Sequence, residues 1–266
     1  LVNAQKRYNP ILYADLFDRY IMHFDSLKAW LNWQEGFHHQ AIDLGLDRVT
    51  SVLRGLLPKG CKIPTISVAG TNGKGSTIAL LEAIYRAQGY RVGAYTSPHI
   101  LKYNERISID NQPVDDELIC EAFTRIEKCR NDVSLSYFEF GTLAALDIFY
   151  RSAVDIQLLE VGLGGRLDAV NIINPDVAII SSIDIDHAEW LGQTREAIAI
   201  EKAGIFRANK PAIVGDPEPP ITLMQTAKRC GVELYCIGDN FSYQCHENGW
   251  DWQLANTHYK NLPNPR

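Results

Sequence analysis

A glycine-rich segment between a β-rich run and a helix constrains the fold of this chain more than any other feature. The run PTISVA (64–69) leads into GTNGKGST (70–77), and helix-forming residues follow. Glycines let successive backbone N–H groups turn toward one anion, and a helix N-terminus adds partial positive charge. The order predicts a phosphate-binding loop in an α/β protein. The residues expected around the phosphates are Thr71, Asn72, Gly73, Lys74, Gly75 and Ser76.

This segment, called here the glycine-rich loop (residues 70–76), departs from the common pattern G-x-x-x-x-G-K-[ST]. Val68 stands where the first glycine belongs, and Gly75 follows Lys74, so the hydroxyls move to Ser76 and Thr77. Lys74 is predicted to neutralise charge on the β- and γ-phosphates. A glycine-rich turn with an accidental lysine is the alternative, and the strand-to-helix context weighs against it.

Apolar runs alternate with helical patterns along the rest of the chain. Strands are predicted at 91–95, 155–160, 176–181, 211–214 and 232–236, and helices at 11–35, 47–57, 77–88, 115–129, 138–152, 194–202 and 221–230. Nearly all-apolar strands predict a mostly parallel sheet with helices on both faces. An extended excursion is predicted at 106–109, and a small hairpin around Asn248-Gly249.

Composition narrows the class of protein. The chain is 46% hydrophobic and 22% charged, which is ordinary for a globular protein, and its net charge of −6 argues against nucleic-acid binding. It contains no apolar run long enough to span a bilayer and no signal peptide. Its six cysteines form no C-x-x-C pair, which favours free thiols in a reducing compartment. We expect a monomeric cytoplasmic protein with no membrane or nucleic-acid partner.

Polar residues follow several predicted strands where each strand ends. Ser97, Glu160, Asp184, Asp186 and His187 all occupy such positions. Ligands of open α/β sheets bind outside the carboxyl ends of the strands, so we expect these side chains to converge on the phosphates. They suit a divalent cation, although imidazole is an unusual Mg²⁺ ligand. Taken singly, each also fits a structural role.

Lys202 and the adjacent pair His38 and His39 each allow both a functional and a structural interpretation. Lys202 is followed by the small or apolar residues 203–205, which weakens the alternative of a solvated helix lysine. His38 and His39 are adjacent, and adjacent residues on a helix point apart, so no metal pair is predicted there.

Eight motifs occur in a fixed order between residues 70 and 215, within a likeness that runs from about Trp30 to the end of the chain: GTNGKGST, TSPHI, NERI, SYFEFGT, LLEVGLGGRLDAVNI, DHAEWLG, EKAGIF and PAIVG. This series resembles the Mur-type ATP-dependent amide ligases, in particular their folate branch. The resemblance implies a central-domain fold of that family, with ATP and two Mg²⁺ ions as cofactors. It also implies phosphorylation of the carboxylate of 7,8-dihydropteroate or a reduced folate, followed by attack of L-glutamate on the acyl phosphate.

The resemblance also assigns roles to individual residues. Lys74, His187 and Lys202 would be catalytic, and Ser97, Glu160, His187 and a carbamylated Lys202 would bind metal. The residues that would bind substrate are Phe37, Ser136, Tyr137, Phe138, Glu139, Leu167, Asp168 and Ala169. Among them, Tyr137 and Phe138 would stack on a pterin, and Asp168 would pair with its ring nitrogens.

We expect residues 1–266 to form one ATP-binding domain with a helical N-terminal segment of about 60 residues. The second domain of the family carries a D-x-A-H-N-P motif, which this sequence lacks, and the start without methionine suggests trimming. A peptidoglycan-precursor ligase is the alternative within the family, and the SYFE stretch weighs against it. A P-loop kinase or NTPase, or a non-catalytic binding module, are the alternatives outside it.

Overall fold

The computed structural model describes residues 24–40 and 42–264. Helices α1 (Leu27–Phe37) and α2 (Asp47–Leu56) come first. Ser26 caps α1, because its hydroxyl accepts the N–H of Ala29 at 3.3 Å. The part of the predicted helix at 11–23 lies outside the described residues.

Eight strands form one sheet, and its central strands position the site. The strands are β1 (Thr65–Ala69), β2 (Val92–Tyr95), β3 (Ile107–Ile109), β4 (Gln112–Pro113), β5 (Ile156–Glu160), β6 (Val177–Ile180), β7 (Pro211–Val214) and β8 (Glu233–Cys236). Their order is β4-β3-β2-β5-β1-β6-β7-β8. In this spatial order, every neighbouring pair from β2 through β5, β1, β6 and β7 to β8 is parallel. The pairs β2–β3 and β3–β4 are antiparallel. The glycine-rich loop therefore leaves a central strand and lies between the ends of β5 and β6.

Helices cover both faces of this sheet, as predicted. They are α3 (Lys74–Ala87), α4 (Asp116–Arg130), α5 (Tyr137–Arg151), α6 (Ala188–Leu191), α7 (Arg195–Lys202) and α8 (Ile221–Cys230). On one face, Ile78 of α3 packs with Val68 and Leu158. On the other face, the neighbouring Leu159 packs in a larger core that includes Phe140 of α5. Successive strand residues point to opposite faces, so burial on both sides explains the continuous apolar runs.

The observed helix boundaries differ from the predicted ones where residues expected in a turn belong to a helix. Helix α3 begins at Lys74 rather than Thr77, because Gly73 takes a left-handed φ of 83° and starts the helix directly. The one-turn helix α6 carries too little periodicity to be predicted. No helix of the described ranges is long and apolar enough to cross a membrane.

The C-terminal region forms a separate antiparallel sheet. Strands β9 (Phe241–His246), β10 (Gly249–Leu254) and β11 (Thr257–Leu262) pair in the order β11-β10-β9. The hairpin predicted around Asn248-Gly249 is confirmed as the pair β9 and β10, and β11 adds a third strand that was not predicted. This third strand is mostly exposed and polar, so it carries no apolar pattern.

Candidate active site

The glycine-rich loop is held by hydrogen bonds to the chain that leaves β6. The N–H of Thr71 donates to the carbonyl of Ser182 at 2.9 Å, and the N–H of Asn72 donates to the Ser182 hydroxyl at 3.0 Å. Ser181 Oγ donates to the carbonyl of Asn72 at 2.6 Å. A Cβ at Gly70 would collide with Ser181 Oγ, so this contact requires glycine. These contacts fix the conformation of the loop.

Lys74 lies across this loop at the start of α3. Its Nζ donates to the carbonyls of Gly70 at 3.0 Å and Thr71 at 3.1 Å. Burial raises the pKa values of Glu160 and Asp168, which come from other parts of the chain, and the charge of Lys74 opposes both rises. The predicted phosphate-binding cation therefore stands close to other predicted site residues.

Glu160 and Ser97 meet beside the loop, as the strand-end argument predicted. The N–H of Ser97 donates to Glu160 Oε2 at 3.2 Å, and a Cβ at Gly75 would lie 3.7 Å from the same oxygen. Burial raises the pKa of Glu160, while the Ser97 hydrogen bond and Lys74 oppose that rise. A buried carboxylate next to a phosphate-binding loop is a suitable ligand for a divalent cation.

His187 borders the same cavity as Lys74 and Ser97. It precedes α6 with a left-handed φ of 48°, and its Nε2 is 3.7 Å from Asp186 Oδ2. Asp184 is tied to the loop, because its N–H donates to Thr71 Oγ1 and its carbonyl accepts from that hydroxyl, both at 3.0 Å. The segment after β6 therefore carries His187 to the loop.

Lys202 is the last residue of α7 and is only 3% exposed. The alternative of a solvated surface lysine is therefore wrong. Its ammonium makes no hydrogen bond within the part of the chain that the structure describes. Burial, and then the charge of Lys74, lower the pKa of Lys202 to about 8, and Asp186 opposes this. Lys202 is thus a buried cation next to a second cation.

One cavity of about 360 Å³, called here the main cavity, is bordered by Lys74, Ser97 and His187 and by most of the predicted substrate residues. Its lining includes Lys74, Ser97, Arg106, Ser136, Phe138, Glu139, Leu167, Asp168, Ala169 and His187. Most of the predicted substrate residues therefore surround the same space as the glycine-rich loop, although they lie far apart in sequence. Glu160 and Lys202 are not part of this lining, and Glu160 borders a second cavity together with Gly73, Gly75 and Ser76 of the loop.

Asp168 is held by backbone donors at the wall of the main cavity. Its Oδ2 accepts the N–H of Leu163 and its Oδ1 accepts the N–H of Val170, both at 2.9 Å. Burial raises the pKa of Asp168 to about 6 against the lowering effect of these donors. The carboxyl group thus shapes the loop after β5 as well as facing the cavity.

Ser136 and Glu139 form a reciprocal cap at the start of α5. The N–H of Ser136 donates to Glu139 Oε2 at 2.7 Å, and the N–H of Glu139 donates to Ser136 Oγ at 3.3 Å. Arg48 donates to Glu139 Oε1 at 3.2 Å. These contacts satisfy helix N-terminal groups, so the polar atoms of both residues support the fold at the cavity wall.

Two predicted substrate residues, Phe37 and Tyr137, are not part of the main cavity lining. The Phe37 ring packs 4.5 Å from Trp33 and lies 4.3 Å from the Arg130 guanidinium. Tyr137 lies 5.7 Å from the Arg106 guanidinium. Of the two aromatic residues expected to stack on a pterin, only Phe138 lines the cavity.

Sequence reasoning did not identify all of the cavity wall. It assigned no role to Arg106 or to the segment 42–45, which also line the cavity. The NERI motif was the available signal for Arg106. No periodicity or residue pattern marked the irregular segment 42–45.

The expectation that His38 and His39 point apart is wrong. Helix α1 ends at Phe37, so both lie beyond it, and their ring centroids are 4.5 Å apart. Both approach Asp43 closely. His38 hydrogen-bonds Ser134 Oγ at 2.8 Å and Asp43 Oδ2 at 3.1 Å, and Arg48 pairs with Asp43 at 2.8 Å. These contacts fix the segment that leads to the cavity.

The fold and this site define a class of protein. The Mur ligase middle domain matches residues 68–259, a range that includes the glycine-rich loop, Glu160, His187 and Lys202. The chain belongs to the Mur ligase family.

Particular relatives narrow the likeness further. The chain is 46% identical over 242 residues to the dihydrofolate synthase/folylpolyglutamate synthase of Escherichia coli (strain K12), covering 90% of this chain and 57% of that protein. The structure of E. coli FolC in complex with DHPP and ADP matches with a TM-score of 0.89 and 46% identity, over 91% of this chain and 58% of that chain.

A second solved structure extends this comparison. A bifunctional folylpolyglutamate synthase/dihydrofolate synthase with Mn, AMPPNP and L-glutamate bound matches with a TM-score of 0.86 and 45% identity. The match covers 92% of this chain and 59% of that chain. The chain thus spans a little over half the length of these relatives.

Proposed function

We propose that the protein adds L-glutamate to 7,8-dihydropteroate, and to reduced folates, in a reaction driven by ATP. The main cavity carries this proposal, because Lys74 of the glycine-rich loop lines the same space as Phe138 and Asp168. A cavity that joins a phosphate-binding loop to an aromatic and acidic wall suits transfer of phosphate to an aromatic acid. The relatives that bind DHPP and ADP, or AMPPNP and L-glutamate, support the assignment.

The chemistry explains why phosphate and acid must share one cavity. A carboxylate is a poor electrophile, so one of its oxygens first attacks the γ-phosphorus of ATP. The bond between that phosphorus and the β–γ bridging oxygen breaks, which gives an acyl phosphate and ADP. The amine of L-glutamate then attacks the acyl carbon, releases phosphate and loses a proton. Lys74 would stabilise the charge on the transferring group.

The polar groups beside the loop fit a divalent cation. The buried Glu160 carboxylate lies next to Ser97 and close to Gly75 of the loop, and His187 borders the same cavity as Ser97. Ser97, Glu160 and His187 would hold one Mg²⁺. Bound Mg²⁺ supplies positive charge to the phosphate oxygens. A carbamylated Lys202 would hold the second ion.

The surroundings of Lys202 favour carbamylation. With a pKa of about 8, roughly a tenth of this amine is neutral at pH 7. The neutral nitrogen would attack carbon dioxide, form an N–C bond and lose a proton. The product is an anion, so the repulsion between Lys202 and Lys74 becomes an attraction.

The proposal extends to the setting of the enzyme. The six cysteines carry free thiols, which is consistent with the reducing cytoplasm that the sequence predicted. The monomeric state and the single-domain boundary at 1–266 stay predictions.

An ADP-release assay on the complete natural protein tests the proposed function. We expect ADP only when ATP, 7,8-dihydropteroate and L-glutamate are all present, together with dihydrofolate detected by mass spectrometry. ADP formed without a pteroate would favour a different NTPase or kinase. Activity with a peptidoglycan precursor in place of dihydropteroate would favour the other branch of the family.

A further inference from the structure

The proposed mechanism leaves one cation of the main cavity without a role. Arg106 lines the cavity together with Lys74 and Ser97. Its carbonyl accepts the N–H of Thr96 at 2.9 Å, which joins the two ends of the loop 97–105. The backbone of Arg106 is therefore fixed next to Ser97. The part of the cavity that Ser97 and Lys74 of the glycine-rich loop border is called here the phosphate end.

Four side chains contact the Arg106 guanidinium, and one of them is the buried Tyr95, which hydrogen-bonds it. Its Nε donates to His99 Nδ1 at 2.8 Å. Its guanidinium carbon lies 5.7 Å from the ring centroids of both Tyr103 and Tyr137. Tyr103 is buried, and the two tyrosine rings contact each other edge to face at 5.6 Å. Cation–π contacts and hydrogen bonds together restrict a side chain that otherwise has many rotamers.

Arg106 forms no ion pair with any acidic residue that the structure describes, although acids border the same cavity. Asp43 and Glu139 are both paired with Arg48. Asp168 accepts backbone N–H groups. Because the cavity acids have their own partners, the charge of Arg106 is available to an anionic ligand.

We propose that Arg106 binds the carboxylate of the substrate that becomes phosphorylated, and that His99, Tyr103 and Tyr137 position its guanidinium. The inference rests on the proposed function and names a contact within it. A guanidinium that holds one carboxylate oxygen leaves the other oxygen to attack the γ-phosphorus. Tyr137 then acts on the arginine rather than on the pterin.

Paired ligands test the contact directly. The complete natural protein, loaded with a non-hydrolysable ATP analogue, is titrated by calorimetry with dihydropteroate and with its carboxamide, which lacks the negative charge. In Arg106→Gln, affinity for the acid should fall about 10- to 100-fold, as expected for a lost hydrogen bond between charged groups. Affinity for the carboxamide and for the nucleotide analogue should change little. Equal losses for acid and carboxamide, or no loss for either, would overturn the proposal.

Control variants separate this contact from general damage. Arg91 is exposed at the opposite end of β2, so Arg91→Gln should leave both affinities unchanged. Arg106→Lys keeps the charge and should show an intermediate loss for the acid alone, which decides the question if Arg106→Gln does not fold. Should the parent protein bind neither ligand and release no ADP, the proposed function itself fails. If the parent protein turns over, but neither Arg106 variant changes the affinity for the acid relative to that for the carboxamide, only this inference is rejected.

The role of His99 is tested by a conservative replacement. His99→Ala should raise KM for dihydropteroate about 5- to 10-fold with kcat nearly retained, because a misoriented arginine mainly weakens binding. His99→Asn offers a carbonyl acceptor for Arg106 Nε and should recover most of the lost affinity. A merely structural role predicts that both variants lose thermal stability and that Asn gives no recovery of KM.

Discussion

The two ends of the main cavity use their polar residues differently. At the phosphate end, backbone and hydroxyl groups of Ser181 and Ser182, which follow β6, hold the glycine-rich loop, and the Glu160 carboxylate beside it accepts one backbone N–H, that of Ser97. At the opposite end, the side chains of Ser136, Glu139 and Asp168 themselves bind backbone N–H groups. One cavity can therefore be lined by ligand-binding groups at one end and by side chains that support its wall at the other.

The physical cause lies in the elements that form each end. Parallel strands end without needing side-chain caps, so Glu160, which accepts one backbone N–H on Oε2, retains acceptor capacity for a ligand. The first N–H groups of a helix have no partner within the helix, and the side chains of Ser136 and Glu139 accept such N–H groups at the start of α5. Substitutions at the phosphate end should therefore reduce catalysis, and those at the other end should first reduce stability.

The largest expected effect is at Lys74. Lys74→Ala should lower kcat/KM by about 10³-fold, because it removes a positive charge that stabilises the transferring phosphoryl group. The melting temperature should stay near that of the parent, since other hydrogen bonds hold the loop. ADP release and thermal unfolding measure the two quantities. A folded variant with unchanged nucleotide affinity and turnover would contradict the assignment of the loop.

Lys202→Ala should reduce ligase activity by about 10²-fold, the upper range for loss of a group that orients a metal site. Added short carboxylates should restore part of this activity by occupying the vacated position. Intact-mass analysis without an acid quench should detect the carbamate on the parent protein. An unmodified amine in an enzyme that turns over, or a Lys202→Ala variant with parental activity, would refute carbamylation.

Magnesium titration compares two predicted ligands that differ in burial. Glu160 is 4% exposed, whereas the His187 side chain is 46% exposed. Glu160→Gln should raise the magnesium concentration for half-maximal activity about tenfold, and His187→Ala should raise it less, because exposed ligands are more easily replaced by water. ATP affinity should change less than the magnesium requirement in both. An unshifted requirement would remove these residues from the metal site.

The smallest effect sharpens the contrast at the opposite end. Ser136→Ala should lower the free energy of unfolding by about 1 kcal/mol through loss of a helix cap. Its kcat should stay close to that of the parent, and Ser136→Thr should restore stability because threonine also caps. Chemical denaturation and steady-state kinetics give both readouts. Weaker dihydropteroate binding at parental stability would instead indicate direct contact between Ser136 and the substrate.

Much of the fold could be read from local patterns. Asp115 and Thr194 are the N-caps of α4 and α7 and stand at the first positions of the predicted helices 115–129 and 194–202, because N-caps depend on a few neighbouring residues. The central strands were found because burial on both faces makes them continuously apolar. The strand β11 was missed because it is exposed and carries no such pattern.

The candidate site likewise contains features that local sequence patterns predict and features that they do not. The sequence by itself determined the glycine-rich loop and the meeting of Ser97 and Glu160, because parallel strands bring their carboxyl ends to one edge. Only the tertiary structure decided that Lys202 is buried, that Tyr137 faces Arg106, and that Ser136 and Glu139 cap a helix. Burial and side-chain partners depend on residues distant in the chain, and no local pattern encodes those contacts.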